Sequence, residues 1–568
     1  MTGAIVDAVS AAELDRHERA ISQWVRLSGT ADEAKAFDYI ESELRAFGYD
    51  VNRYASDALI GYPGRASLTV LGAAEVEIPC NGYSLSPLTD DAGLTGELVY
   101  VGGGLDADYA GREVRGKVVL SDGLAMPNKA MAAEAAGAIG HIHINDEYIH
   151  EMCISPVWGT PIPETAGLLP KVPAVAVRSA DGERLKARLA EGPTRVRLMT
   201  QPFRAWVKIP TLTGDLPGTA EGSFVLFSGH VDSWHYGAMD NGTANATQLE
   251  VARLLAERRG ELRRGVRLAF WSGHSHGRYA GSSWYADEFW GDLHQRCVCH
   301  VNIDSVGAMG ATVLEEAPTM AETYGFARAV LRDVLGIELD YKRMSRSSDQ
   351  SFWGHGIPSV LASLSEQALD ESATAAAMAQ LLGSGARGGG LGWWWHTTED
   401  TLDKIDADNF ARDARVYAET LWRLCTLERL PFDYAPVADE IAAALSGFQE
   451  QARGALDLAR VQTLAVELRE RLRETDLAGG DVETANALLI ELGRLLIPIN
   501  FTAWGPFEQD LALGTRPLPG LAEATRLGRL DRESDEFRYL RTRLTRERNR
   551  VEHALGAALR AVAVFQGA

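Results

Sequence analysis

Apolar side chains recur every three or four positions through residues 12–50, with polar residues between them. That is the spacing of helices with one buried stripe, and Gly48 supplies a stop. From about 60 to 205 the pattern shifts to short β-branched runs, GELVYVGGG, GKVVLSDG and VPAVAVRS, punctuated by glycine and proline. Only NKAMAAEAAGA reads as a helix there, so the stretch is expected to be a β-rich insert. Between 206 and 430 strands and helices alternate. FVLFSG precedes TANATQLEVARLLAERR, VRLAFWSG precedes SSWYADEFWGDL, and CVCHVNID, a helix near 320–334 and SVLASLS follow. Such alternation predicts a mainly parallel sheet with helices on both faces. RGGGLGWWW reads as an irregular loop. Beyond 433 the chain is helical, broken by IPINFTAWGPFEQDLALGTRPLPGL. The expected fold is α/β: a mainly parallel sheet sandwiched by helices, divided as 1–59, 60–205, 206–432 and a helical 433–568.

Open parallel sheets gather ligands at the carboxyl ends of their strands, where neighbouring loops converge. The polar residues follow that rule. The strand at 224–229 runs into His230, Asp232 and then Asp240; the next ends at His274 and His276; the third ends at Asp304; and WWWHTTEDT brings His396. Imidazole and carboxylate together suit Zn²⁺ and similar ions, and one aspartate can bridge two of them. In HVD, Asp232 is placed to accept a hydrogen bond from the far nitrogen of His230 and fix its tautomer.

Composition narrows the partners. The 568 residues carry 56 basic and 78 acidic side chains, a formal charge of −22 that argues against nucleic acid or an anionic membrane. No apolar run has the length of a signal peptide core or a membrane span. Five scattered cysteines fit a reduced, cytoplasmic protein better than a disulfide framework. Cys297 and Cys299, two apart on a strand, are expected on one face as packing residues. His141, His143 and His355 are read as structural.

The stretches GHVDSW, GAMDNGTANATQLEVARLL, VRLAFWSG with GS at 281–282, VNID, SSDQSFWGHGIPSV and HTTEDTLDKID together resemble the di-zinc aminopeptidase and glutamate-carboxypeptidase family, which includes the transferrin receptor. DYAGREVRGKVVLSDG and AAEAAGAIGHIHIND resemble its protease-associated insert, and FEQDLALGTRPLPGL the dimerisation domain of the carboxypeptidase and receptor branch. The resemblance implies one ion on His230, Asp240 and Asp304, a bridge through Asp240 to a second ion with His396, and supporting roles for Asp232 and Asp349. It implies a homodimer as well.

The family ends its next strand in two glutamates, a general base and then a ligand of the second metal. Here they align with His274 and Ser275, with His276 next. A histidine can serve as the proton shuttle, so His274 or His276 is expected as acid/base, and His276 or His274 as the replacement ligand. Losing one carboxylate predicts a weaker, different or absent second ion, so the cofactor is one or two divalent ions, zinc first among them. Arg278, Tyr279, Trp395 and His150 are expected to contact substrate. The leading expectation is a hydrolase that uses metal-bound water on a small amide or short peptide-like molecule. The alternatives are a lyase-like enzyme on the same fold and a non-catalytic, receptor-like binding protein.

Overall fold

The structure is a computed structural model that describes residues 5–220, 222–361, 363–370, 375, 387–477 and 479–567. Its strands are β1 (Asp50–Leu71), β2 (Val76–Ile78), β3 (Asn81–Gly82), β4 (Leu94–Tyr100), β5 (Val118–Asp122), β6 (Gly140–Ile144), β7 (Ala174–Val177), β8 (Arg195–Leu216), β9 (Phe224–His230), β10 (Gly265–Trp271), β11 (Cys297–Asn302) and β12 (Ser359–Val360). The main sheet runs β12-β11-β9-β10-β8. Its first four strands are parallel, and β8 joins β10 antiparallel.

Both faces of this sheet are covered, as the unbroken apolar text of β9 and β10 requires. Val225 and Phe227 of β9 face the helices Ala244–Glu257 and Ala407–Thr426, and the Phe227 ring stacks on Tyr417 at 5.8 Å. Leu226, Ala269 and Trp271 face the other way, toward Tyr285, Ala286 and Leu293 on the helices Ala280–Glu288 and Trp290–Arg296. The N-terminal helical stretch divides into Ala11–Ile21 and Ala31–Phe47. Gly48 ends the second in the left-handed region, at φ +88°, a conformation glycine adopts without a Cβ clash.

Two expectations change here. Boundaries near 59/60 and 205/206 fall inside β1 and β8, which pair antiparallel from Asp50↔Asp215 to Leu71↔Arg195. The chain therefore enters and leaves the insert through one continuous ribbon rather than through linkers. The insert's own strands β4, β5, β6 and β7 are parallel, and β4 hangs on the outer half of β8. Secondly, Cys297 and Cys299 enter different apolar clusters. The β11–β9 ladder slips between them, which breaks the alternation that would have put both on one face.

The C-terminal region forms the helices Ala435–Gln451, Ala459–Glu474, Val482–Phe501 and Asp535–Gly567, packed on one another. The irregular segment after Phe501 reaches back toward the sheet. Ala512 N donates to Pro156 O at 2.7 Å, and Gln509 Nε2 to Ser351 O at 3.1 Å. Insert, sheet and helical region thus meet around the carboxyl ends of β9, β10 and β11.

Candidate metal centre

His230 closes β9 and is buried. Its Nδ1 lies 2.8 Å from the main-chain oxygen of Asp232. A carbonyl can only accept, so the proton sits on Nδ1 and Nε2 is left as a lone-pair donor. Nε2 makes no hydrogen bond of its own. It faces Asp240 Oδ1 at 3.2 Å and Asp304 Oδ1 at 3.5 Å. Ligand atoms about 2.0–2.2 Å from a tetrahedral zinc lie roughly 3.3 Å apart. These buried donors therefore fit a divalent ion.

Asp240 lies in the turn Ala238–Thr243, directly before the helix Ala244–Glu257. Its second oxygen is 2.9 Å from His396 Nε2, so one carboxylate spans two imidazoles. Burial raises the Asp240 carboxyl, but the facing imidazoles of His230 and His396 hold it well below the usual carboxylate range. The turn is fixed from behind by Asp400, which accepts from Met239 N at 2.8 Å and Asp240 N at 3.0 Å. Burial, with Asp240 close by, pushes Asp400 up to about 7. Arg26, buried under the same loop, donates to the carbonyls of Val231, Tyr236 and Gly237 at 2.7, 2.8 and 2.9 Å. Neither Asp400 nor Arg26 was singled out from the sequence. The spacing H-T-T-E-D was the available sign for Asp400, and nothing local marks Arg26.

His396 enters from the loop after Trp395. Its Nδ1 contacts Glu151 O in the insert at 2.6 Å, and its ring stacks on Trp395 at 3.5 Å. Asp304 follows β11 and accepts from Ser305 and Ser348 hydroxyls at 3.1 and 3.0 Å.

The HSH segment divides. His274 stacks face to face on His230, with centroids 3.7 Å apart and planes 16° apart. Its Nδ1 is held by Asp349 Oδ2 at 2.7 Å, and Asp349 in turn accepts from Ser282 Oγ at 2.6 Å. The donor atoms of His230, His274 and Asp304 lie within 4.8 Å of one another. His276, expected as acid/base or ligand, is turned away. Its Nδ1 is 2.8 Å from Ser28 Oγ and 3.3 Å from Asp232 Oδ2, and its fully buried ring packs edge-on to Tyr62 and Trp234. The backbone dictates this, because Asp232 accepts from His274 N at 3.1 Å and Ser275 N at 2.9 Å. That grip fixes the start of the segment, from which His274 turns to His230 and His276 to Ser28. It also corrects the role given to Asp232: the His230 tautomer is set by its carbonyl, while its carboxylate, 3.8 Å from Nδ1, secures the loop.

A cleft of about 550 Å³ of unfilled space, mouth included, opens over the cluster. Asp240, His274, Asp304 and His396 line its floor, and Trp234, Arg278, Tyr279 and Trp395 are among its walls. Arg278 is anchored through Nε to Ser155 O at 3.0 Å and through Nη2 to Cys153 O. Tyr279 meets His274 edge-on at 4.7 Å. His150 does not face the cleft as expected. It is fully buried, with Nδ1 2.6 Å from Trp395 O and Nε2 3.3 Å from Asp146 Oδ2, and so clips the insert to the Trp395–His396 loop. Trp394 is core and Trp393 half-exposed against Tyr148. His141 and His143 stack on each other inside the insert, and His355 is bonded to Ala286 O at 2.9 Å.

The model of peptidase family M28 matches residues 211–421, and that of the PA domain residues 94–185. A probable glutamate carboxypeptidase of Zea mays, VP8, is 26% identical over 349 residues, covering 50% of this chain and 49% of that protein. The aminopeptidase YwaD of Bacillus subtilis is 29% identical over 297 residues, covering 50% and 58%. The chain thus spans about half the length of these relatives. A Bacillus subtilis zinc aminopeptidase structure shares the fold at TM-score 0.55 and 22% identity, covering 74% of this chain and 97% of its own. A peptidase M28 precursor from Shewanella amazonensis does so at TM-score 0.58 and 19% identity, covering 74% and 95%. Residues 211–421, whose strand ends carry the His/Asp cluster, thus match the model of peptidase family M28, and residues 94–185 match that of the PA domain.

Proposed function

We propose that this chain is a metal-dependent hydrolase of a small amide or peptide-like substrate, with a histidine in the place of the usual acidic base. One observation carries the reading: His230, Asp240, Asp304 and His396 converge under a cleft beside His274, whose rear nitrogen is pinned by a buried carboxylate. A divalent ion on that imidazole–carboxylate set, zinc before others, supplies Lewis acidity toward a carbonyl oxygen and acidifies water. The names of the relatives, carboxypeptidase and aminopeptidase, support peptide or amide bonds as the target.

The side chains supply the rest. With its Nδ1 proton directed at Asp349, His274 keeps Nε2 as the atom that accepts a proton from the attacking water and returns it to the leaving amine. Its ring is held between the His230 stack and the Tyr279 edge. Trp234, Leu391 and Trp395 keep the cleft dry around an apolar substrate group, and Arg278, the cation among its lining residues, offers charge to a substrate oxygen. We propose a homodimer through residues 433–568 as the assembly; a monomer in sedimentation at micromolar concentration removes that part.

The test is metal analysis of the purified protein together with assays on dipeptides and N-acyl amino acids. Turnover that disappears with chelation, and an ion lost in His230→Ala, are the expected results. A protein that holds its ion yet cleaves no member of such a panel removes the hydrolase reading.

A further inference from the structure

We propose that a second pocket, beside the metal cleft and lined by Arg346 and the start of the helix Pro127–Ala136, binds the carboxylate of a small organic acid. The inference stands apart from the hydrolase reading, since its residues take no part in the metal centre.

The pocket opens where the insert, the sheet and the helical region meet, with about 790 Å³ of unfilled space, mouth included. Arg346, in its lining, is 7% exposed. The partners of its guanidinium are neutral oxygens. Nη1 donates to Gln350 O at 2.9 Å, and Nη2 to Gln509 Oε1 at 3.0 Å and Asp510 O at 3.1 Å. Nε, buried as well, has no hydrogen-bond partner among the described residues. The Asp510 carboxylate is bonded instead to Ala503 N at 2.7 Å and Trp504 N at 3.0 Å. Burial pulls the guanidinium down to about 10, which leaves it charged at neutral pH. A buried cation with an open donor is costly unless an anion meets it. The Trp158 ring covers one face of the group at 4.0 Å, so an acceptor must approach in the guanidinium plane, as carboxylate oxygens do.

The helix start is the second contribution. Met126 holds the cap position without a side-chain hydrogen bond, and the first turn carries no acid. Asn128 turns its Oδ1 to the neighbouring Lys129 N at 2.9 Å. Met126, Pro127 and Asn128 all line the pocket, so the positive end of the helix dipole adds to Arg346 with no acidic side chain of its own helix against it.

Charge and shape narrow the ligand. Arg343, the other cation in the lining, is already matched by the Glu440 carboxylate and by Asn500 O at 2.7 Å. That leaves the one guanidinium of Arg346, which a single carboxylate balances and a phosphate dianion exceeds. Met126, Met344 and Leu513 give an apolar wall for a short alkyl chain. Trp158 stands between pocket and cleft, its ring 3.9 Å from that of Tyr279, which lines the cleft. A free acid fits that partition better than the far end of a bound substrate.

The experiment titrates the full-length protein, as purified, with butyrate by calorimetry, and with butyramide, sodium chloride and inorganic phosphate as controls. One butyrate per chain is expected, bound more tightly than butyramide or phosphate. Arg346→Met should weaken it by about 10- to 100-fold, as loss of a charge-assisted hydrogen bond does. Because that variant also strips donors from Gln350 O and Asp510 O, Asn128→Asp serves as the second. It keeps an acceptor for Lys129 N, suits a helix start and sets a negative charge in the pocket. Its urea midpoint should hold or rise while butyrate affinity falls. Butyrate that binds equally to wild type and Asn128→Asp sits elsewhere, at the metal centre for one, and overturns the proposal. Equal binding of butyramide, or tighter binding of phosphate, does the same. Should butyrate not bind, a KM that rises in Asn128→Asp for an N-acyl amino acid but not for its C-terminal amide assigns the carboxylate to the substrate. With neither result the proposal falls, and the metal centre is untouched.

Discussion

Replacing His274 by glutamine removes the nitrogen proposed to move the proton while preserving a group that can still reach Asp349. General-base catalysis contributes about 10²- to 10⁴-fold, so kcat for a good amide substrate should fall within that range. The bound metal should be unchanged by elemental analysis. A matching fall in metal content would instead make His274 a ligand. His276→Gln should act differently. His276 bonds to Ser28 and Asp232, which fix the segment, so its loss should perturb stability and metal affinity together, read in one calorimetric titration and one urea transition. Residue identity located both histidines; the direction of each ring is held by its own partners, Asp349 for His274 and Ser28 with Asp232 for His276.

The loops after β9, β10 and β11 owe their shape to side chains brought from elsewhere in the chain. Arg26 satisfies three carbonyls of the 231–237 loop from a segment more than 200 residues away. Arg26→Leu would take the side-chain donor from the Val231 and Tyr236 carbonyls, while Gly237 O keeps Gly242 N at 3.1 Å. At about 1–3 kcal/mol per unsatisfied buried group, the variant should lose several kcal/mol in urea unfolding and bind zinc more weakly. His150 works in the same manner between the PA domain and the metal loop. His150→Ala should raise KM, with the zinc stoichiometry kept, because Trp395 loses its clip. Helix periodicity made the elements themselves legible: the helix expected near 320–334 spans Ala321–Leu335, and Gly48 ends its helix as the pattern said. The ribbon of β1 and β8 was not legible, because its polar interruptions resemble loop text until the two strands are paired.

For the whole molecule, buried titratable groups set a window of stability. Glu322 is buried, and burial pushes its carboxyl from 4.5 up to about 8. Between those values the unfolded chain releases a proton that the fold retains, so stability falls as pH rises, by about 1.4 kcal/mol per pH unit for one group. Glu322→Gln should flatten the decline of the urea midpoint between pH 5 and 8. On the acid side, burial pulls His300 down to about 3 and His355 to about 4 from 6.5. Each is neutral in the fold, and stability is lost as pH drops below 6.5 and the unfolded chain takes up protons. Urea midpoints measured from pH 4 to 9 should therefore pass through a maximum.

By itself the sequence determined which residue types stand at the ends of three consecutive strands, because strand pattern and strand-end chemistry are both local text. It also determined the insert and the helical C-terminal region, since hydrophobic period and turn chemistry change with each. Tertiary structure alone decided which imidazole of HSH faces the cleft, how many donors reach each side of Asp240, and that His150 is a clip. Those outcomes depend on directions and distances between segments remote in the chain, where a rotation of one side chain separates a ligand from a packing residue.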